Sequence, residues 1–149
     1  MAQALGLSIV IPAYNEESRI APTIRETVDY CRDRRVAFEV ILVDDGSLDG
    51  TTAVGRSLAE NFPELRVIRL GSNHGKGYAV RTGVINALGG RVLFADADGS
   101  TPISEIERLE AALDSGADLA VGSRGDVILV WFREDGDGVT PLIAEGKLR

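Results

Sequence analysis

The chain has 149 residues, 44% hydrophobic and 26% charged, with a net charge of -7 from 23 Asp+Glu against 16 Lys+Arg; this is the composition of one globular domain, long enough to bury a core without disulfides or a structural metal. The acidic balance argues against binding to a phosphate backbone, so no nucleic-acid partner is expected, and the single cysteine, Cys31, permits neither an internal bridge nor a multi-cysteine zinc site and points to a reducing, cytoplasmic setting. The longest apolar stretches, Leu7 to Ala13 and Val127 to Phe132, are seven and six residues, far short of the ~20 that span a bilayer, so no transmembrane segment is expected, and the start lacks the basic residues of a signal peptide.

Short β-branched runs alternate with helix-like stretches. Leu7 to Ala13 reads as the first strand, and Glu16 to Arg35 as a helix with Ile20, Ile24, Thr27, Val28 and Cys31 on one face; Pro22 is tolerable there because it lies near the start. Phe38 to Asp45 is the second strand, followed by a helix that Asp49 would cap and Pro63 would stop. Leu65 to Leu70, a helix over Gly77 to Leu88, Arg91 to Ala97, a helix over Ile103 to Leu113 and a strand over Asp118 to Ser123 complete the pattern. Runs without strict alternation indicate strands covered on both faces. The order predicts an α/β fold of the Rossmann-like, doubly wound kind, with a mostly parallel sheet. Residues 1–125 form the expected domain. Residues 126–149 form an atypical tail, in which Val127 to Phe132 could add a strand, Arg133 to Gly138 is an acidic, Gly-rich turn, and the last dozen residues are as compatible with disorder as with structure.

In open α/β sheets ligands bind at the carboxyl ends of the strands, and every strand here ends in a polar cluster. Asp96 and Asp98 flank Ala97, so their side chains can share one side. Two hard carboxylates suit Mg²⁺ or Mn²⁺ when substrate phosphates complete the shell, although Asp-x-Asp by itself is also an ordinary solvated turn. A calcium loop from Asp96 fails because Thr101 stands where glycine is needed, and one from Asp45 fails because Arg56 stands where the bidentate carboxylate belongs. Asp44 and Asp45 can accept hydrogen bonds from a base or a ribose, or simply turn the chain. Gly71 to Gly77 (GSNHGKG) lacks the spacing of a P-loop, yet a glycine-rich turn with Lys76 before a helix can attract phosphate. His74, the one histidine, leaves little material for a Ser-His-Asp or zinc-His scheme and reads as a loop residue.

Taken in order, SIVIPAYNEE, VILVDDGSLDGT, NHGKGYAVRTG, FADADGSTP and VGSR resemble the family 2 glycosyltransferases of the GT-A fold, and among them the synthases that load a sugar onto dolichyl or polyprenyl phosphate. The resemblance implies that residues 1–125 are a nucleotide-sugar-binding half, with Pro12, Ala13, Tyr14, Glu16, Asp44, Asp45, Asp96 and Ala97 around the donor. It implies that Asp96 and Asp98 hold the divalent metal, Mn²⁺ or Mg²⁺, and that Asp98, Lys76 and Arg124 assist the chemistry. The implied reaction is inverting transfer from a UDP-glucose or GDP-mannose type donor to a lipid-phosphate acceptor, peripheral to the cytoplasmic face of a membrane. GSTP after the second aspartate leans towards the glucosyl branch. Family members continue roughly a hundred residues beyond GSR, so a nucleotide-sugar-binding domain without turnover is the alternative; a nucleotidyltransferase is a third reading, which lacks its Gly-rich first loop here. A homo-oligomer stays open.

Overall fold

The computed structural model describes residues 4–116 and, beyond them, the strand segments 119–121, 127–131, 134–135 and 138–139. Strands β1 (Leu7–Ala13), β2 (Phe38–Asp44), β3 (Leu65–Arg69) and β4 (Arg91–Ala95) are linked by helices α1 (Ile20–Asp33), α2 (Thr51–Asn61) and α3 (Lys76–Ile85). A 3₁₀ turn (Ile103–Glu105) leads into α4 (Ile106–Asp114), followed by β5 (Leu119–Val121), β6 (Val127–Trp131) and a small hairpin of β7 (Glu134–Asp135) and β8 (Gly138–Val139).

The main sheet has the order β3-β2-β1-β4-β6-β5. Its first four strands are parallel, in the register Leu7 to Phe38 and Leu7 to Arg91 from the central β1. The expected α/β, mostly parallel architecture is therefore present, with two differences. Val127–Trp131 does form a strand, but it runs antiparallel and inserts between β4 and β5, so β5 is not β4's neighbour. The other concerns Asp49, which is not the cap of α2: that position is Gly50, while the Asp49 carboxylate accepts the Thr51 N–H at 2.9 Å from one residue further out. Of the last dozen residues, which the sequence leaves as compatible with disorder as with structure, Gly138–Val139 form β8, and 140–149 lie outside the described residues.

Strand side chains alternate between two apolar layers. Leu7, Ile9 and Ile11 of β1, with Val40 and Leu42 of β2 and Leu93 of β4, pack under α1, α2 and α4. Val10, Ile41, Val43, Val92 and Phe94 pack on the other face under Ala79 and Val80 of α3. Each fully buried Val, Leu or Ile contributes ~1.5–3 kcal/mol, and β1, buried along its whole length, anchors both layers. Pro22 sits in the first turn of α1, where no intrahelical N–H is required of it. At the amino end of the sheet Glu39, also buried, accepts from the Ser8 hydroxyl at 2.7 Å, the Leu88 N–H at 2.7 Å and the Arg66 guanidinium at 2.8 Å. This closes the polar end of the core opposite the strand termini that matter below.

Three predictions test the packing. Gly46 has φ +72°, and a Cβ there would lie 2.5 Å from the Ser72 carbonyl carbon and 2.7 Å from the Asn73 nitrogen. Gly46→Ala is expected to lower the unfolding free energy in urea by ~2 kcal/mol or more. By contrast Gly77→Ala, where a Cβ meets nothing within 4 Å, should be neutral or stabilising by up to ~1 kcal/mol. Burial pushes the Cys31 thiol up to about 11, which leaves roughly one part in a thousand as thiolate near pH 8. Native protein should therefore resist a thiol reagent that labels it at once in urea.

Candidate functional site

The carboxyl ends of β1, β2 and β4 and the amino end of α3 enclose an open cleft of about 430 Å³. Pro12, Ala13, Tyr14 and Glu16 line one wall, Asp96, Ala97 and Asp98 the other, and Asp45, Asn73, Gly75, Lys76 and Ala79 the floor and far side. Nine of the expected site residues line this cleft: Pro12, Ala13, Tyr14, Glu16, Asp45, Lys76, Asp96, Ala97 and Asp98; Asp44 does not. Arg124 falls outside the described residues.

Alternation along β2 sorts the two adjacent aspartates. Val40 and Leu42 face α1 and α2, and Asp44, two residues on, follows them. It is fully buried; one oxygen accepts the Ser47 N–H at 2.9 Å and the other the Thr52 hydroxyl of α2. Its place is a buried cap for the loop into α2, and the cleft lining does not include it. Asp45 follows Ile41 and Val43 to the α3 side. Only 3% of Asp45 is exposed, and its two oxygens accept the N–H groups of His74 and Gly75, each at 2.8 Å. Its own N–H donates to the Ala13 carbonyl at 2.8 Å, extending the β1–β2 ladder by one rung. A single carboxylate thus fixes the 71–75 loop immediately before Lys76.

The loop after β1 is tied to the loop after β2 by side chains of both. Asn15, at φ +52°, receives the Leu48 N–H on its Oδ1 at 2.9 Å and donates its own N–H to the Ser47 hydroxyl at 2.9 Å. The Glu16 N–H donates to Thr51 Oγ1 at 2.9 Å, and the Glu17 N–H to Asp49 Oδ2 at 3.2 Å. Asparagine tolerates positive φ better than most residues, the signal that could have marked Asn15 as a hinge of the site. Thr23 of α1 donates to the Ala97 carbonyl at 2.8 Å and holds the Asp96–Asp98 turn against the helix.

Charge in the cleft is arranged in pairs. Lys76, the first residue of α3, forms an ion pair with Asp96. The Ser100 N–H, 2.9 Å from Asp98, together with the Ser100 hydroxyl, holds the Asp98 carboxyl below the usual carboxylate range, with smaller contributions from Arg19 and Lys76. Arg19 is engaged with Glu16 at 2.7 Å. His74 stacks on Tyr78 with ring centroids 4.5 Å apart and lies outside the cleft lining, as a loop residue. Asn73, Gly75 and Ala79 were not expected in the lining; Ala79 is one helical turn from Lys76, and its small side chain is the signal for close approach. Among the described residues no three His, Cys, Asp or Glu side chains gather as a cation cage, and no helix is long and apolar enough to cross a membrane.

With this geometry in place, the comparisons with known proteins agree on a class. Residues 8–137 match the family described as Glycosyl transferase family 2, and the chain belongs to that family. It is 41% identical over 115 residues to the dolichyl-phosphate beta-glucosyltransferase of Homo sapiens, an alignment covering 72% of this chain and 36% of that protein. With the Drosophila melanogaster enzyme of the same name it shares 40% over 136 residues, covering 81% and 41%. The chain thus spans well under half the length of the curated relatives it matches. Among solved structures, Pyrobaculum calidifontis mannosyltransferase PcManGT in complex with GDP-Man and Mn²⁺ superimposes with a TM-score of 0.67 at 23% identity, covering 87% of this chain and 48% of that one; this likeness concerns the fold. S. aureus TarS 1-349 in complex with UDP-GlcNAc gives 0.63 at 27% identity, covering 78% and 34%.

The loop-pinning role of Asp45 is directly testable. In Asp45→Ala the part-buried N–H groups of His74 and Gly75 lose a carboxylate acceptor, and a hydrogen bond to a charged group contributes ~1.5–3 kcal/mol. Hydrogen exchange at the His74 and Gly75 amides should accelerate by at least tenfold, while amides of β1 keep their protection. Unchanged exchange at 74 and 75 would refute the role.

Proposed function

We propose that this chain carries the donor-binding half of a glycosyltransferase that moves a sugar from a nucleotide-sugar, of the UDP-glucose or GDP-mannose type, to a polyprenyl or dolichyl phosphate. The observation that carries this reading is the convergence of Tyr14, Asp45, Lys76, Asp96 and Asp98 on one cleft at the strand ends. Pro12, Ala13 and Tyr14, with Asp45 beneath, offer the base and ribose an apolar wall, a stacking surface and polar contacts. The names of the relatives, within a GT-A fold, favour the glucosyl-phosphate-lipid branch.

Two carboxylates on the cleft wall, one of them already matched to a cation in Lys76, fit a divalent ion that takes its remaining ligands from water and diphosphate. Asp96 and Asp98 would hold it, and when bound it neutralises charge on the departing nucleoside diphosphate. The Ser100 N–H keeps Asp98 ionised for that role, and Lys76 lies where it can meet a phosphate oxygen. In the inverting displacement an acceptor phosphate oxygen forms the new bond to the sugar C1 while the C1–oxygen bond to the diphosphate breaks. That oxygen is anionic at neutral pH and needs no strong general base. A lipid acceptor implies peripheral association with a membrane surface.

The chain's span of 36% and 41% of two of its relatives favours, as a second reading, donor binding without transfer by these residues alone. Calorimetry of UDP and GDP, each with and without Mn²⁺, tests the donor site. One nucleotide should bind with Mn²⁺ and lose at least tenfold in affinity in Asp98→Ala; no binding of either by folded protein would overturn the reading. Transfer to a polyprenyl phosphate then separates the two alternatives.

A further inference from the structure

Lys76 starts α3 and Asp96 follows β4, and alternation explains why they meet across the cleft. Val92 and Phe94 of β4 face α3; Asp96, two residues on, follows them to the side where α3 begins. Gly75, at φ +94°, turns the chain into the helix, and Asp45 clamps the His74 and Gly75 N–H groups from below. The backbone at Lys76 is thereby fixed, and its flexible side chain crosses to the Asp96 carboxylate. Asp98 is the other carboxylate on that wall, and it already has the Ser100 N–H. Arg19, the nearby alternative cation, is engaged with Glu16. Lys76 is therefore the cation that balances Asp96 when the cleft holds no ligand.

We infer that Lys76 is a tethered counter-cation for Asp96 that exchanges partners during donor loading: it occupies Asp96 in the free protein and moves to the donor diphosphate when a divalent cation takes that carboxylate. The inference rests on the donor-site reading above and extends it. Its consequence is linkage. Without a diphosphate, Lys76 competes for Asp96 and keeps divalent-cation affinity low. With a diphosphate present, Lys76 has another anion to neutralise, so nucleotide and cation each strengthen the other's binding by the same factor. The ion pair also bridges the cleft, so its release frees the space between the Asp96 turn and the α3 terminus for the diphosphate itself.

The test is Mn²⁺ binding, followed by electron paramagnetic resonance, to the full chain with and without UDP and GDP, for wild type, Lys76→Met and Lys76→Arg. Lys76→Met should bind Mn²⁺ without nucleotide roughly fivefold or more tightly than wild type, and the enhancement of Mn²⁺ binding by nucleotide should shrink by a similar factor. Lys76→Arg retains a cation of similar reach and should stay close to wild type. If Mn²⁺ binds the wild type but Lys76→Met leaves the nucleotide-free affinity unchanged, the exchange is overturned while the donor-site reading stands. If Mn²⁺ binds neither protein under any condition, both fail. Lys76 is exposed on the cleft surface, so loss of fold is not expected; a circular-dichroism melt of each variant checks it.

Discussion

Buried carboxylates at the end of β2 hold the carboxyl edge of the sheet together, and they do so by accepting backbone N–H groups. Taking a carboxylate out of water is costly unless its oxygens are matched. Asp44 meets that demand with the Ser47 amide and the Thr52 hydroxyl, and Asp45 meets it with the His74 and Gly75 amides. These acceptors fix two loops that belong to different helices. Among the described residues, neither aspartate is matched by a lysine or arginine. The nearby cations instead meet carboxylates that line the cleft, Lys76 with Asp96 and Arg19 with Glu16.

Pre-organisation follows from that arrangement. The loops after β1 and β2 are laced to each other through Asn15, Ser47 and Thr51, the loop before α3 is held by Asp45, and the Asp96–Asp98 turn is held by Thr23. Each tie joins segments distant in the chain, so the site exists only once the sheet has formed. Dipoles fixed before a ligand arrives need no reorganisation when charge develops. Tyr14 and Lys76 stay exposed at the cleft, and the flexible Lys76 side chain is held, among the described residues, by its ion pair with Asp96 alone.

Much of this was legible in the sequence because its period was clear. The runs from Leu7, Phe38, Leu65 and Arg91 are β-branched and nearly unbroken, and each became a strand of the parallel sheet. Direction was another matter: Val127 to Trp131 carries the same apolar character as a parallel strand, and nothing local states that it returns between β4 and β5. Asp44 and Asp45 look equivalent in a motif, yet period two sends one towards α2 and the other towards α3. Asp49 resembled a cap because capping preferences are statistical, whereas Gly50 and the pull of Thr51 moved the helix start by a residue. The partnership of Lys76 with Asp96 spans 20 residues and depends on α3 covering the face that β4 shares, which only the assembled fold supplies.

The position of β3 at one end of the sheet has a consequence for how the protein behaves in a crowded solution. An outermost strand offers unpaired backbone groups to any other extended chain, and such edges nucleate aggregation when they are long, flat and apolar. β3 is five residues long and includes Arg66 and Arg69, the first paired to Glu39 and the second exposed. Two neighbouring copies aligned along this edge would bring like charges together at close range. The same arginines, which take no part in the cleft lining, are the kind of charged residue that discourages strand-to-strand association at such an edge.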